Sequence, residues 1–183
     1  VTDNQQATRA ILAFWFEEIG PARWWERSAE TDAAIIERFR ELWDEWRSRT
    51  PESFLGSAHE ALAGVILFDQ FSRNMFRGHA DAFSTDPLAL AIARGALDRG
   101  LDEAMTPDER SMLYMPFQHS ESLADQDRSL ALFTALGNAN SLKFAKLHHE
   151  MIARYARFPA RNAALGRADR PGEAAAIEMS RDW

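Results

Sequence analysis

EALAGVILFDQF, residues 60–71, is apolar on every face between Ala61 and Phe68. A helix that is hydrophobic all round is buried on all sides. This segment is therefore expected at the centre of the fold. It opens on Ser57-Ala58-His59-Glu60, a capping box in which the Ser57 hydroxyl accepts from the amide three residues on and Glu60 reaches back. Its far end is polar: Asp69 and Gln70, then Arg73 and Asn74. Those four side chains are expected to emerge inside or beside the core.

The segments around it read the same way. Residues 8–19 place Ile11, Phe14, Trp15 and Glu18 at helical spacing. Residues 31–47 place Ile35, Phe39, Leu42, Trp43 and Trp46 on one stripe, with Thr31 as the N-cap. Thr85-Asp86-Pro87 offers an Asp cap before a Pro in the first turn, and Gly100 closes that helix. Thr106-Pro107-Asp108-Glu109 is a second capping box, and Ser122–Asp125 fits a third. Gly137 ends the helix that follows. Asn138 or Asn140 opens the next one, which runs to about residue 157, and Pro171 can open a short terminal helix. Val occurs twice and Thr seven times, so β-formers are scarce and no segment alternates with period two. The expectation is an all-α chain of about eight helices. Short connections make neighbours antiparallel, and such hairpins can stack as tetratricopeptide repeats do or form a compact bundle. Residues 1–183 read as one helical domain, with 1–6 a flexible N-terminus.

Composition narrows the function classes. The chain has 183 residues, 46% of them apolar, which suffices for a core without staples. There are no cysteines, so disulfides, thiolate metal sites and a Cys nucleophile are excluded. No run approaches the roughly 20 apolar residues of a membrane span. The first ten residues, VTDNQQATRA, lack a signal-peptide core, so a soluble cytoplasmic protein is expected. The first residue is Val, which implies a removed initiator Met or a trimmed chain. Net charge is −7, which argues against nucleic acid as a partner. Residues 141–170 are nonetheless basic, with Lys143, Lys146, Arg154, Arg157, Arg161, Arg167 and Arg170 against Glu150 and Asp169. They can complement the acidic remainder or form an anion site.

Candidate site residues fall in four places. Asp69 and Arg73 are four apart and can pair on one helix face; with Gln70 and Asn74 they can bind a ligand or tie down the helix end. A second Arg-Asn phrase follows at 157–167, RFPARNAALGR, with Phe158, a short gap, Arg161, Asn162 and Gly166 in the order of Phe71, Arg73, Asn74 and Gly78. In the bend after Pro116, His119 and Glu121 can act as a general base and its partner. Trp24 and Trp25, between the first two helices, can plug the core or wall a ligand groove. His148 and His149 point about 100° apart on a helix, so they do not share a metal easily. His148 lies on the stripe with Phe144, Met151 and Tyr155 and reads as near-core. Gly-rich phosphate loops and the nucleophile-elbow motif are absent. No metal and no cofactor are implied.

FWFEEIGPARWW (14–25), LFDQFSRNMFRGHADAF (67–83), TDPLAL (85–90), YMPFQHSESLADQDRS (114–129) and RFPARNAALGR together resemble the bacterial family called domain of unknown function 924. The resemblance runs from about residue 8 to about 178. It implies an all-helical fold similar to the tetratricopeptide-repeat superfamily, and it implies no activity. The functional expectation is a helical binding module for a peptide or a small anionic ligand. Arg73, Asn74, Arg161 and Asn162, with Asp69 and Gln70, would make the polar contacts, and Trp24 or Trp25 an apolar wall. The alternatives are a hydrolase or lyase using His119 and Glu121 with an Arg clamp, and a purely structural polar network. Partners exclude nucleic acid and membrane, and a homo-oligomer is compatible. At least one Arg-Asn pair should lie in contact with the 118–125 bend.

Overall fold

The central segment of the computed structural model is buried without interruption from Ala61 to Ser72. The structure describes residues 3–180. Among them there is no strand. The helices are α1 (Asp3–Leu12), α2 (Ala29–Trp46), α3 (Ala58–Val65), α4 (Ser72–Met75), α5 (Asp86–Asp98), α6 (Pro107–His119), α7 (Leu123–Leu136), α8 (Ala139–Tyr155) and α9 (Ala174–Met179). α1 continues without a break into a π-helical segment, Ala13–Ile19, and a second π-helical segment, Ile66–Phe71, joins α3 to α4. With those continuous stretches taken whole, the described residues form eight helical rods, and the all-α expectation stands. Of the span proposed as a flexible N-terminus, residues 3–6 are helical, and residues 1 and 2 lie outside the described residues.

The chain divides into two compact units. The first holds the residues up to Arg77 and Asp81–Pro116, and the second holds Gly78–Ala80 and the residues from Phe117 onward. In the first unit α3 packs on α1 and α5, and α2 packs on α4. Its core is aromatic. The Phe14, Phe39 and Phe71 rings meet at 5.3, 5.8 and 4.9 Å, and Trp15 adds an edge contact to Phe71 at 5.6 Å. Each such side chain contributes about 1.5–3 kcal/mol on full burial. Gly64 lets α3 approach its neighbours: a Cβ there would stand 3.0 Å from Phe54 and 3.2 Å from Ile92. In the second unit α7 and α8 form a hairpin. Gly137 turns it in the left-handed region at φ 77°, and the Asn138 side chain accepts from the Ser141 amide.

Several helix ends differ from the sequence reading. Ser28, not Thr31, caps α2: its hydroxyl accepts from the Thr31 amide at 3.2 Å. Ser122 makes no capping bond. The Ser120 hydroxyl takes over instead, accepting from the Ser122 amide and donating to Asp125 at 2.7 Å. Asp86 does not cap α5, because its carboxylate is spent on Arg73. Pro116, a residue that kinks or ends a helix, lies inside α6, which runs on to His119. α8 stops at Tyr155, slightly short of the expected residue 157, where Ala156 turns left-handed at φ 55°. The terminal helix begins at Ala174 rather than at Pro171. The capping box at Thr106 forms as read, with bonds in both directions between Thr106 and Glu109, and at Ser57 the hydroxyl accepts from the Glu60 amide.

Candidate functional site

The sequence candidates gather into three local constellations, two in the first unit and one in the second. The first sits at the end of the buried rod. A π-helical register sends each amide to the carbonyl five residues back instead of four, so side chains are needed to satisfy carbonyls along Ile66–Phe71. Ser72 and Thr85 both donate to the Phe68 carbonyl, at 2.8 and 2.7 Å. Arg73 donates to the Asp69 carbonyl at 2.6 Å. Ser72 also accepts from the Trp43 indole at 2.9 Å, which ties α2 to the rod.

Arg73 then forks onto Asp86 at 2.9 and 3.0 Å and lies 3.3 Å from the carboxylate of Asp69. Asp69 is 0% exposed and accepts from the Gln70 amide at 2.6 Å. Burial works against the Arg73 charge, but the Asp69 and Asp86 charges outweigh it and raise the Arg73 pKa above its ordinary value. Asn74 does not join this group. It donates to Asp32 at 2.7 Å, beside the two-pronged Arg77–Asp32 pair, and so pins the start of α2 to the end of α4.

The second constellation is the Trp loop. Trp24 stacks on Trp15 with ring centres 6.0 Å apart and planes 6° from parallel, and its indole donates to the Trp15 carbonyl at 2.8 Å. Phe16 meets it edge-on at 5.4 Å. Trp24 is the plug. Trp25 is 59% exposed and touches Trp24 only by an edge.

The third constellation, in the second unit, gathers His119, Glu121 and Arg161. The Arg161 guanidinium donates to the His119 carbonyl at 2.9 Å and lies 4.4 Å over the Phe158 ring. One Arg-Asn phrase therefore does reach the 118–125 bend. Glu121 accepts from the Phe158 amide at 2.7 Å and from both prongs of Arg167 at 2.8 and 3.0 Å. Burial pushes the Glu121 carboxyl up, yet the Arg167 and Phe158 hydrogen bonds with the Arg161 and Arg167 charges hold it below its ordinary value. The His119 ring faces His148 at 6.1 Å, and His148 is buried with its Nδ1 2.9 Å from the Phe144 carbonyl. Asn162, 1% exposed, turns the other way and donates to Asp169 and to Glu173 at 2.9 and 3.0 Å.

Glu173 was not among the candidates, nor were Arg157 and Arg167 singled out beyond their charge. Glu173 is 1% exposed and takes both prongs of Arg157 at 2.8 and 2.7 Å, the Asn162 amide and the Arg170 backbone amide. The hydrogen bonds from Arg157, then those of the Arg170 amide and Asn162, overcome burial and hold its carboxyl down at about 2. The signal open to sequence reading was the run of basic residues around the second Arg-Asn phrase. Its partners lie 16 and 46 positions away.

Among the described residues no group of three or more His, Asp or Glu side chains is placed to hold a metal ion. Nor is any described helix long and apolar enough to cross a membrane.

The fold has a solved counterpart. A protein of unknown function from Agrobacterium tumefaciens, ATU0120, is 36% identical in sequence and superposes with a TM-score of 0.90, over 97% of this chain and 100% of that one. No curated protein matches the chain. The bacterial protein family of unknown function DUF924 matches residues 11–180, nearly the whole chain, with the buried rod, the Trp loop and the 118–125 bend all inside the match. The chain belongs to that family.

Proposed function

We propose that this chain is a binding module that takes a peptide at the Trp25 loop. The ligand would present an apolar side chain to the exposed Trp25 indole and an acidic group to Arg23, whose guanidinium stands 3.9 Å from Glu26. The observation that carries this reading is the contrast within the Trp pair. Trp24 is locked by a stack and a hydrogen bond to Trp15, while Trp25, next to it, leaves most of its indole in water. A large aromatic held out on a fixed base offers contact area at low entropic cost, which is the property of an interface anchor.

The hydrolase or lyase reading has less physical support. A general base and its partner must be available to a substrate proton. Both carboxylate oxygens of Glu121 already accept strong bonds from Arg167 and Phe158. Arg73, the alternative charge clamp, is forked onto Asp86.

A peptide array probed with the wild-type protein and with Trp25→Ala tests the reading. Peptides with an acidic residue beside an apolar one should be retained by the wild type and lost by the variant. A metabolite thermal-shift screen of the wild type and His119→Ala runs beside it. A metabolite that stabilises the wild type, fails to stabilise His119→Ala and leaves Trp25→Ala unaffected would overturn the proposal in favour of a catalytic site at the bend.

A further inference from the structure

Six buried side-chain polar atoms have no hydrogen-bond partner among the described residues. Five of them lie in the second unit: Gln118 Oε1, Gln126 Oε1, Ser129 Oγ, Asn162 Oδ1 and Arg167 Nε. Each such atom left unmet costs a desolvation penalty that folded proteins avoid. Buried polar atoms without a protein partner are the places where proteins hold internal water.

Three of these atoms belong to the corner between α6 and α7. The Gln126 amide nitrogen donates to the carbonyls of Gln118 at 2.8 Å and Ser120 at 2.7 Å, with Phe117 at 3.4 Å. That settles which way the amide faces, because the flipped group would set its oxygen against three carbonyl oxygens. Gln126 Oε1 is therefore an acceptor turned away from those three carbonyls, with no protein donor. Ser129 is three residues further along α7, on the same face. Both residues are 0% exposed. Gln118, whose carbonyl holds the Gln126 amide, carries the third unmet oxygen and is itself buried.

We propose that one ordered water molecule is a fixed part of the second unit, bound by Gln126 Oε1, Ser129 Oγ and Gln118 Oε1. The water donates to the two amide oxygens and accepts from the Ser129 hydroxyl. Those three bonds are the usual complement of a buried water. The donor set selects this guest. An apolar molecule would leave all three oxygens unmet, and a divalent cation calls for carboxylates where only neutral oxygens are present. The bound water fastens α7 to the end of α6. It thereby holds the 118–122 bend, from which the His119 carbonyl meets Arg161 and the Glu121 carboxylate meets Arg167.

Two measurements on the full chain test this. A crystal structure at a resolution that orders internal solvent should place a water within about 3 Å of Gln126 Oε1 and Ser129 Oγ. Ser129→Ala should lower Tm and lose that water. The sign is diagnostic. Ala is the better helix former, and deleting a hydroxyl that has no partner would relieve a penalty, so without the water Tm would hold or rise. A Tm that holds or rises, or a wild-type structure in which the two oxygens bond to protein atoms or face no solvent density, overturns the proposal.

Discussion

Glu173 concentrates four donors on one buried carboxylate, and its pH behaviour follows from them. Its folded-state pKa of about 2 lies below the ordinary glutamate value of about 4.3. A lowered carboxylate contributes stability that is complete above the unfolded value and is lost as pH falls through the folded one. Stability should therefore erode from about pH 4.3 downward, and the contribution of Glu173 should be gone near pH 2. Glu121, lowered by Arg167 and Phe158 after burial is overcome, acts in the same direction. Urea unfolding at steps between pH 7 and pH 2.5 checks this. Glu173→Gln should be less stable than wild type at pH 7, and the two stability curves should converge as pH falls. Parallel curves would mean that the carboxylate's charge does not act through folding.

The helix elements divide into those that a periodic pattern can announce and those that depend on a remote partner. The buried rod was legible because eight consecutive non-polar residues leave no solvent face. Its π-helical register was not, because widening a helix by one residue per hydrogen-bonded ring does not alter which residues are apolar. Caps show the same division. Ser57 and Thr106 stand alone at their helix starts and could be read, whereas Asn138 could not be told from Asn140. Ser28 and Thr31, or Ser120 and Ser122, offer two hydroxyls near one helix end; extended backbone favours Ser28, whereas Ser122 is extended and still makes no capping bond, so backbone alone does not decide. For the polar candidates the sequence carries the residue types and not their partners. Asn74 meets Asp32 across 42 positions and Glu121 meets Arg167 across 46, distances at which spacing carries no information. Ser72 tests the account of the rod. Its hydroxyl accepts from Trp43 and caps a carbonyl in the π segment, so Ser72→Ala leaves the buried Trp43 N–H unmet. Chemical unfolding should register a loss of about 1–3 kcal/mol. A loss below about 0.5 kcal/mol, the range of a featureless surface substitution, would remove the side chain from the scaffolding of the rod.

Over the whole molecule, each unit holds a charged pair of its own: Arg73 with Asp86 in the first and Arg157 with Glu173 in the second. In the second unit nine basic residues stand against eight acidic ones, a net +1, so the first carries −8 within the chain's net −7. The arginines that looked like an anion site from sequence are spoken for: Arg157 by Glu173, Arg167 by Glu121, and Arg161 by the His119 carbonyl and the Phe158 face. Family membership adds no activity to this picture, and the fold is shared with another protein of unknown function. What distinguishes a working surface from scaffolding is then the cost of deleting it. Trp24 and Trp25 allow that comparison at adjacent positions. Trp24→Ala removes a stacked ring and a hydrogen bond to the Trp15 carbonyl, and uncovers Trp15, whose own indole N–H has no partner. For a half-buried ring the loss should approach the lower end of the 3–5 kcal/mol typical of a large aromatic, about 2–3 kcal/mol. Trp25→Ala removes a side chain that water already surrounds, and stability should stay within about 0.5 kcal/mol of wild type. Thermal and urea unfolding of the two variants separate these outcomes. Equal and large losses would make the whole loop structural and leave the binding reading without its anchor. A stable Trp25→Ala protein beside a weakened Trp24→Ala protein would leave an exposed indole that folding does not need, and a surface group of that size, free of any structural task, is where a partner has purchase.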